Sequence, residues 1–414
     1  MARRICIVTP GNLAFNPRVL KEADALQGAG YPVTVVACDY NEELRELDDQ
    51  VIARAPWAVV RVRRSTVDRT MARVARTVAG AVNRGGANVP LALAERSERG
   101  AVPGLKPAAI AVPADLYIAH YVAALPAAAG AACHHGAMLG FDAEDFHSGE
   151  GGAGHDEAFR MKMVETIEAA VLPSCVHATA SSPLIAQAYA RRYAMIPPVV
   201  VLNVFPRELA PASRREGGAA GQLRAYWFSQ TIGLDRGLQA FLGAMARSRA
   251  RISLDIRGRN RWGHGDTLLA LARKLGIADR VALLDPAPPE EMVRLAAQYD
   301  IGLSLETDAN QNRGLCLTNK IFTYLLAGIP VVLSDTPAQR AFAPALGAAG
   351  RLVSLADPAG MADSLDRLAA APAGLEAAKA AAWQLGQQRY NWETEKVGLL
   401  QSVAEAFRRR EDGA

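Results

Sequence analysis

One pattern, present twice, limits what this chain can become: short unbroken apolar runs followed by stretches with helical apolar spacing. Residues 5–8 (Ile-Cys-Ile-Val) lead into a Pro10-Gly11-Asn12 turn. Val19, Leu20, Ala23 and Leu26 then recur at helical spacing, and Gly28-Ala29-Gly30 precedes a second run at 33–36. That is a strand, a loop, a helix and a second strand. Apolar strands separated by helices belong to parallel sheets covered by crossovers. Further strands are expected at 59–62, 116–118, 139–141 and just before Ser181-Ser182-Pro183, with a helix at 157–170. Residues 203–222 hold prolines and glycines without apolar periodicity, which is linker composition. The alternation then restarts, with strands expected at 225–228, 252–256, 281–284, 301–305 and 331–333 and helices at 238–246, 267–275, 289–299 and 319–327. The expected fold class is α/β: two Rossmann-like domains, at 1–205 and 223–389, joined by a linker at 206–222 and facing a central cleft with the carboxyl ends of their parallel sheets.

Composition removes several function classes. A length of 414 residues suggests two or three domains at about 150 residues each, and 50% apolar with 21% charged residues is the balance of a folded protein. A net charge of +4 is too small for nucleic acid to be the leading partner. Cys6, Cys38, Cys133, Cys175 and Cys316 are scattered and unpaired in spacing, so neither a disulfide framework nor a thiolate zinc site is expected. No H-E-x-x-H or H-x-H spacing appears, and no metal is expected. The start, Arg3-Arg4-Ile5, enters a strand pattern without a secretory run, and the apolar stretch 321–333 is broken by Gly328 and Pro330. A bilayer span needs about 20 residues. The expected location is the cytoplasm. Pro10-Gly11-Asn12-Leu13 stands where a dinucleotide fingerprint would be, which disfavours a dehydrogenase.

The segment 61–106 carries ten basic residues (Arg61, Arg63, Arg64, Arg69, Arg73, Arg76, Arg84, Arg96, Arg99, Lys106) against Asp68, Glu95 and Glu98, while Met71, Val74, Val78 and Val82 recur at helical spacing. This is a basic amphipathic helix. It suits either peripheral docking on an anionic membrane surface through 69–84 or a solvated surface helix.

In the second half, Leu315 to Val332 reads as loop, capped helix, glycine stop, proline and strand. Thr318 or Asn319 can cap the helix, and Lys320 adds a charge in its first turn, the composition of a phosphate site. A capped core helix with a solvated lysine has the same local pattern.

The chain resembles the two-domain GT-B glycosyltransferases, specifically the family-4-like, retaining, nucleotide-sugar-dependent enzymes (glycosyl transferases group 1). The resemblance rests on Gly11 with Asn16-Pro17-Arg18 and Gly30-x-x-Val33-x-Val35, on Asp115 to His120 and Phe141 to Asp145, on Tyr226 to Leu238, on Leu254 to Gly258, and on Asn319-Lys320…Gly328-x-Pro330-Val331-Val332. It implies a hexosyltransferase-like activity without a metal, moving a sugar from a UDP- or GDP-type donor to a saccharide or lipid-linked acceptor in glycan or polysaccharide biosynthesis. The donor side would comprise Gln230, Arg236, Gly258, Asp285, Glu306, Arg313, Thr318, Asn319, Lys320 and Thr323. Gly11, Asn16 and Arg18 would face the acceptor, with Glu144, Asp142 and His120 as candidate catalytic groups. The terminal segment 390–414 would pack back across the hinge.

The chain also departs from that pattern. Ser229-Gln230 stands for the family's Gly-Arg, Arg236 for a lysine, Leu315 and Thr323 for a pair of glutamates, and Glu144 for a histidine. Glu306, with Asp308 and Arg313 on its loop, is the carboxylate placed to substitute on the donor side. These departures keep open a nucleotide-sugar epimerase or hydrolase, and a non-catalytic GT-B-like binding or scaffold protein.

Overall fold

The computed structural model describes residues 2–39, 41–98, 102–152, 154–216 and 220–412. Arg99 of the basic segment and residues 217–219 of the linker lie outside the described residues. The chain divides into two compact units. One comprises Met1–Val201 with Asn310–Asn312 and Lys396–Ala414, and the other Leu202–Ala309 with Arg313–Glu395.

The N-terminal unit holds strands β1 (Ile5–Thr9), β2 (Val33–Asp39), β3 (Ala58–Arg63), β4 (Leu116–His120), β5 (Met138–Ala143), β6 (His177–Ala180) and β7 (Val199–Val200). They form one parallel sheet in the order β3-β2-β1-β4-β5-β6-β7, with β1 paired in register to β2 (Ile5 to Val33) and to β4 (Ile5 to Leu116). The first crossover, the helix Pro17–Gly28, starts where Asn16 accepts from the Val19 amide at 3.2 Å and Pro17 occupies the first turn. It turns Arg18, Val19, Glu22, Ala23 and Leu26 inward. Ile5, Ile7, Val19, Leu26, Val35, Leu116 and Ile118 share a core with Val403 and Phe407 from the terminal helix Trp392–Asp412. The Phe407 ring stacks on Tyr31 at 5.7 Å, and His177 Nδ1 meets Ser402 Oγ at 2.9 Å.

The C-terminal unit repeats the plan with β8 (Gln222–Thr231), β9 (Arg251–Arg259), β10 (Val281–Leu284), β11 (Ile301–Ser304), β12 (Val331–Ser334) and β13 (Gly350–Val353). The order is β10-β9-β8-β11-β12-β13, again all parallel. Within each unit the first six strands follow the doubly wound order, in which successive crossovers reverse direction beside the first strand. That switch point lies between β1 and β4 in one unit and between β8 and β11 in the other. The helix Asn319–Ala327 is buried from Lys320 to Ala327 and stops at Gly328, whose φ of +75° is the left-handed conformation that glycine adopts without a Cβ penalty. Gly302 lets its Tyr324 pack onto β11, since a Cβ there would sit 2.1 Å from the ring.

Some sequence expectations need correction. The helix expected at 289–299 is a 3-10 turn at Pro289–Glu291 and a short helix at Met292–Ala296, because the chain must reach Asp300 to open β11. β8 is longer than 225–228 and takes in Gln222, the last residue assigned to the linker. β13 and the helices Arg45–Arg54, Leu125–His135, Pro183–Arg192, Pro337–Leu346, Pro358–Ala369 and Pro372–Gln388 were not anticipated. Several of these are alanine-rich, so their apolar spacing is faint in sequence.

Candidate functional site

Each unit gathers charged side chains at the carboxyl ends of its strands beside its switch point, where open α/β sheets bind ligands. In the C-terminal unit the centre is Glu306, buried two residues beyond β11. Lys320 Nζ lies 2.7 Å from Glu306 Oε1, while Arg313 Nη1 and Arg236 Nη1 lie 3.0 and 3.4 Å from Oε2. The exposed Asp235 carboxylate adds longer contacts to Arg236 at 3.5 Å and to Arg313 at 3.7 Å. Three cations against two carboxylates leave a net positive charge. Arg236 Nε is shielded from water and makes no hydrogen bond, its 3.5 Å contact with Asp235 Oδ1 being an ion pair only. Lys320 Nζ also lies 6.0 Å from the centre of the Trp227 ring. The backbone permits this convergence at Gly237, with φ +66°, where a Cβ would stand 2.8 Å from the Leu305 carbonyl oxygen.

The remaining donor-side residues divide. Asn319 and Gln230 are exposed at the start of their helix and the end of β8. Gly258 lets β9 approach β8, since its Cβ would lie 2.6 Å from the Ser229 carbonyl oxygen. Asp285 is exposed just after β10, and its carbonyl accepts from Arg257, whose Nε donates to the Tyr226 hydroxyl at 2.8 Å. Two expectations change. Thr318 occupies the cap position, but its hydroxyl faces Ser304 Oγ at 3.3 Å and makes no cap. Thr323 is buried and donates to the Asn319 carbonyl at 3.0 Å, so its hydroxyl is spent inside its own helix.

In the N-terminal unit, Arg18 grips Asp142 through two hydrogen bonds, Nε to Oδ2 at 2.6 Å and Nη2 to Oδ1 at 2.7 Å, and donates Nη1 to the Val201 carbonyl at 2.7 Å. Thr179 also donates to Asp142. His120 bridges Glu22 (Nε2 to Oε2, 2.6 Å) and Asp142 (Nδ1 to Oδ2, 3.3 Å). All five side chains are buried. Burial opposes the Asp142 charge, yet Arg18 and His120 outweigh it and hold the carboxyl well below its usual range. Burial likewise works against a charged His120, and Asp142 and Glu22 more than offset it, raising its pKa. Asp142 is therefore ionised and fully engaged. It orients its neighbours instead of offering a free base. Asn16 caps its helix and donates to Thr9 Oγ1 at 3.3 Å, so it too is structural where it stands. Beside Gly11 the space is open: a Cβ would meet nothing within 4 Å.

Glu144 differs from Asp142. Burial pushes its pKa up; Arg18 pulls it down, while Asp145 and Asp142 add to the rise. Its Oε2 accepts from the Tyr121 hydroxyl at 3.1 Å. Tyr121 follows β4 with φ +66°, the one positive φ outside glycine among the described residues. Such strain persists where surrounding structure enforces it, and it clusters at functional sites. Sequence reasoning gave no role to Tyr121, Glu22, Thr179 or Arg257, although Arg257 lies within the Leu254 to Gly258 stretch and Glu22 follows Arg18 on the same helix; no local motif marks Tyr121 or Thr179. Among the described residues no group of three or more His, Cys, Asp or Glu is placed to hold a metal.

Residues 236–398 match a family model described as glycosyl transferase-like. No curated protein matches the chain by sequence. Solved structures match along nearly its whole length. HepE from Anabaena, in complex with UDP, aligns with a TM-score of 0.67 at 14% identity, covering 97% of this chain and 100% of that one. A glycosyltransferase from Rickettsia africae gives 0.69 at 9% identity, covering 98% and 99%. Sucrose-phosphate synthase from Thermosynechococcus elongatus gives 0.67 at 13% identity, covering 98% and 100%. The chain has the GT-B fold. Within this GT-B chain the matched stretch begins at Arg236 and takes in Glu306, Arg313 and Lys320, whereas the cluster around Asp142 lies outside it.

Proposed function

We propose that this GT-B protein is a glycosyltransferase that takes a sugar from a nucleotide-diphosphate donor, held by the C-terminal unit, and passes it to a saccharide or lipid-linked acceptor held by the N-terminal unit. The observation that carries the reading is the convergence of Arg236, Arg313 and Lys320 beside the switch point. A diphosphate leaving group develops negative charge as the glycosidic bond breaks, and fixed cations stabilise it where it forms. Arginine meets phosphate oxygens in pairs, and Lys320 acts as a point charge. Arg236 and Arg313 reach the diphosphate, and Glu306 positions all three cations and is the group nearest for a sugar or ribose hydroxyl.

Glu144 supplies the acceptor side. Burial and its acidic neighbours raise the Glu144 pKa, which makes its carboxylate a stronger base toward an acceptor hydroxyl. Retention of configuration, a hexose as the transferred sugar and a role in polysaccharide synthesis follow from the family resemblance. UDP or GDP is the expected base. The test is acceptor-dependent release of nucleoside diphosphate from UDP- and GDP-sugars. Release that needs an acceptor and is lost in Glu144→Gln supports transfer; release without acceptor supports a hydrolase, and conversion to an isomeric nucleotide sugar without release supports an epimerase.

A further inference from the structure

The helix Thr66–Arg84 begins at a reciprocal cap, in which Ser65 Oγ accepts from the Asp68 amide at 3.1 Å and Asp68 Oδ2 accepts from the Ser65 amide at 2.8 Å. Its one acidic residue is thereby committed to the cap. Only small residues hold the helix down, with Ala72, Ala75 and Ala79 buried. Val67, Met71, Val74 and Val78, spaced four, three and four residues apart, form a single stripe that faces away from the protein, with exposures of 68, 58, 51 and 46%. The described residues expose eleven large apolar side chains, and four of them lie on this stripe. Such a concentration marks an interaction surface, because isolated exposed apolar residues are scattered.

Basic groups surround it. Arg73 and Arg84 project from the flank of the stripe, and together with Arg76 and Arg160 they line a hollow of about 440 Å³ between this helix and the helix His155–Val171. Arg160 is paired with Glu150 and Glu157, whereas Arg73, Arg76 and Arg84 form no ion pair among the described residues. Glu98 and Asp156 also reach the hollow. Lys162 donates to Asn83 at 2.7 Å and adds a further cation at the helix end.

We infer that this helix docks the N-terminal unit on an anionic phospholipid surface, with the stripe Val67, Met71, Val74 and Val78 immersed among the acyl chains and the exposed Arg73 and Arg84 set against lipid phosphates. An apolar ridge bordered by unpaired arginines matches the layering of a bilayer interface, hydrocarbon below anionic headgroups. A second copy of the chain would bring like charges together along the same ridge, which opposes self-association there. No described helix is long and apolar enough to cross a membrane, so the contact is peripheral. The inference goes beyond the transfer reading and does not depend on it, since docking requires no donor.

Vesicle flotation tests it, comparing phosphatidylcholine alone with phosphatidylcholine mixed with phosphatidylglycerol. The protein is expected to float with the mixed vesicles alone and to lose binding as salt is raised. With each basic residue contributing about 1 kcal/mol near such a surface, R73E/R84E should lower the partition coefficient at least about tenfold. M71D/V74D should abolish flotation without changing the charge on any arginine. These side chains are exposed, and an unchanged melting temperature checks the fold; R73Q/R84Q replaces the reversal should it unfold the chain. Equal flotation with both vesicle types, flotation with neither, or variants that float like the parent would overturn the inference. So would a solution dimer that M71D/V74D converts to monomer.

Discussion

Lys320 Nζ and Glu306 Oε1 lie 2.7 Å apart, both side chains buried, at the first turn of one helix and just beyond the strand beside it. The pair is asymmetric, because Glu306 has two further cations and Lys320 has no second carboxylate among the described residues. Removing Lys320 leaves Glu306 compensated, whereas removing the Glu306 charge leaves three cations crowded together.

This asymmetry sets the first prediction. Glu306→Gln should destabilise the protein more than Lys320→Met, by about 1–3 kcal/mol, since breaking a buried pair strands its partner. Inorganic pyrophosphate should restore the melting temperature of Glu306→Gln by taking the place of the lost charge. Thermal unfolding with and without pyrophosphate reads both effects.

Asp142 and Glu144, two residues apart, should respond to mutation with opposite signs. The Asp142 pKa is depressed in the folded state, so its stabilisation is present above the unfolded carboxyl pKa and is lost as pH falls below it. Asp142→Asn should be destabilised by about 3–5 kcal/mol at neutral pH, because the buried Arg18 loses the carboxylate that meets its guanidinium at two points, and should show less acid dependence than the parent. The Glu144 pKa is raised, so ionisation costs stability as pH rises through the carboxyl range. Glu144→Gln should melt at or above the parent temperature at neutral pH while losing transfer activity. Melting curves across pH, beside the release assay, separate the two residues.

His147 gives a second pH signature. Burial lowers its pKa, but the 2.7 Å contact of Nδ1 with Glu150 Oε1 outweighs this and raises it to about 9. The stabilisation is fully present below the ordinary histidine pKa of about 6.5 and is lost as pH rises through about 9. His147→Gln should be less stable than the parent at pH 6 and should approach it above pH 9. The difference in melting temperature at the two pH values measures it.

The strained Tyr121 backbone separates two roles of one side chain. Tyr121→Phe removes the hydrogen bond to Glu144 and should cost about 1 kcal/mol. Tyr121→Gly also removes the aromatic contact with His147 but relieves a φ of +66° with ψ 152°, a region essentially for glycine alone, worth about 1–3 kcal/mol. Tyr121→Gly should therefore be more stable than Tyr121→Ala, as urea unfolding would show.

Much of this was legible in the sequence, and the reasons are local. Runs such as residues 5–8 and 331–333 are apolar throughout because both faces of a parallel strand are covered, and Thr318-Asn319 with Gly328-x-Pro330 marks the two ends of a helix. Glu306, Arg236, Arg313 and Lys320 were identifiable because each sits in a loop or first helical turn beyond a recognisable strand. Alanine-rich helices and β13 were not legible, since alanine contributes little to an apolar pattern and Gly350–Val353 exposes part of its length. Nor was the engagement of Arg18 with Asp142, 124 positions away, or of Thr323 with its own helix: a sequence lists the groups and leaves out which of them have spent their hydrogen bonds.

Calorimetric titration with UDP and GDP most directly tests the central claim that the C-terminal unit holds a nucleotide diphosphate through Arg236 and Lys320. The parent protein should bind one of the two selectively, and Arg236→Ala with Lys320→Met should weaken that binding by at least about a hundredfold, since each charge-assisted contact is worth about 1.5–3 kcal/mol. Binding of neither nucleotide, or unchanged affinity in a folded double variant, would contradict the account.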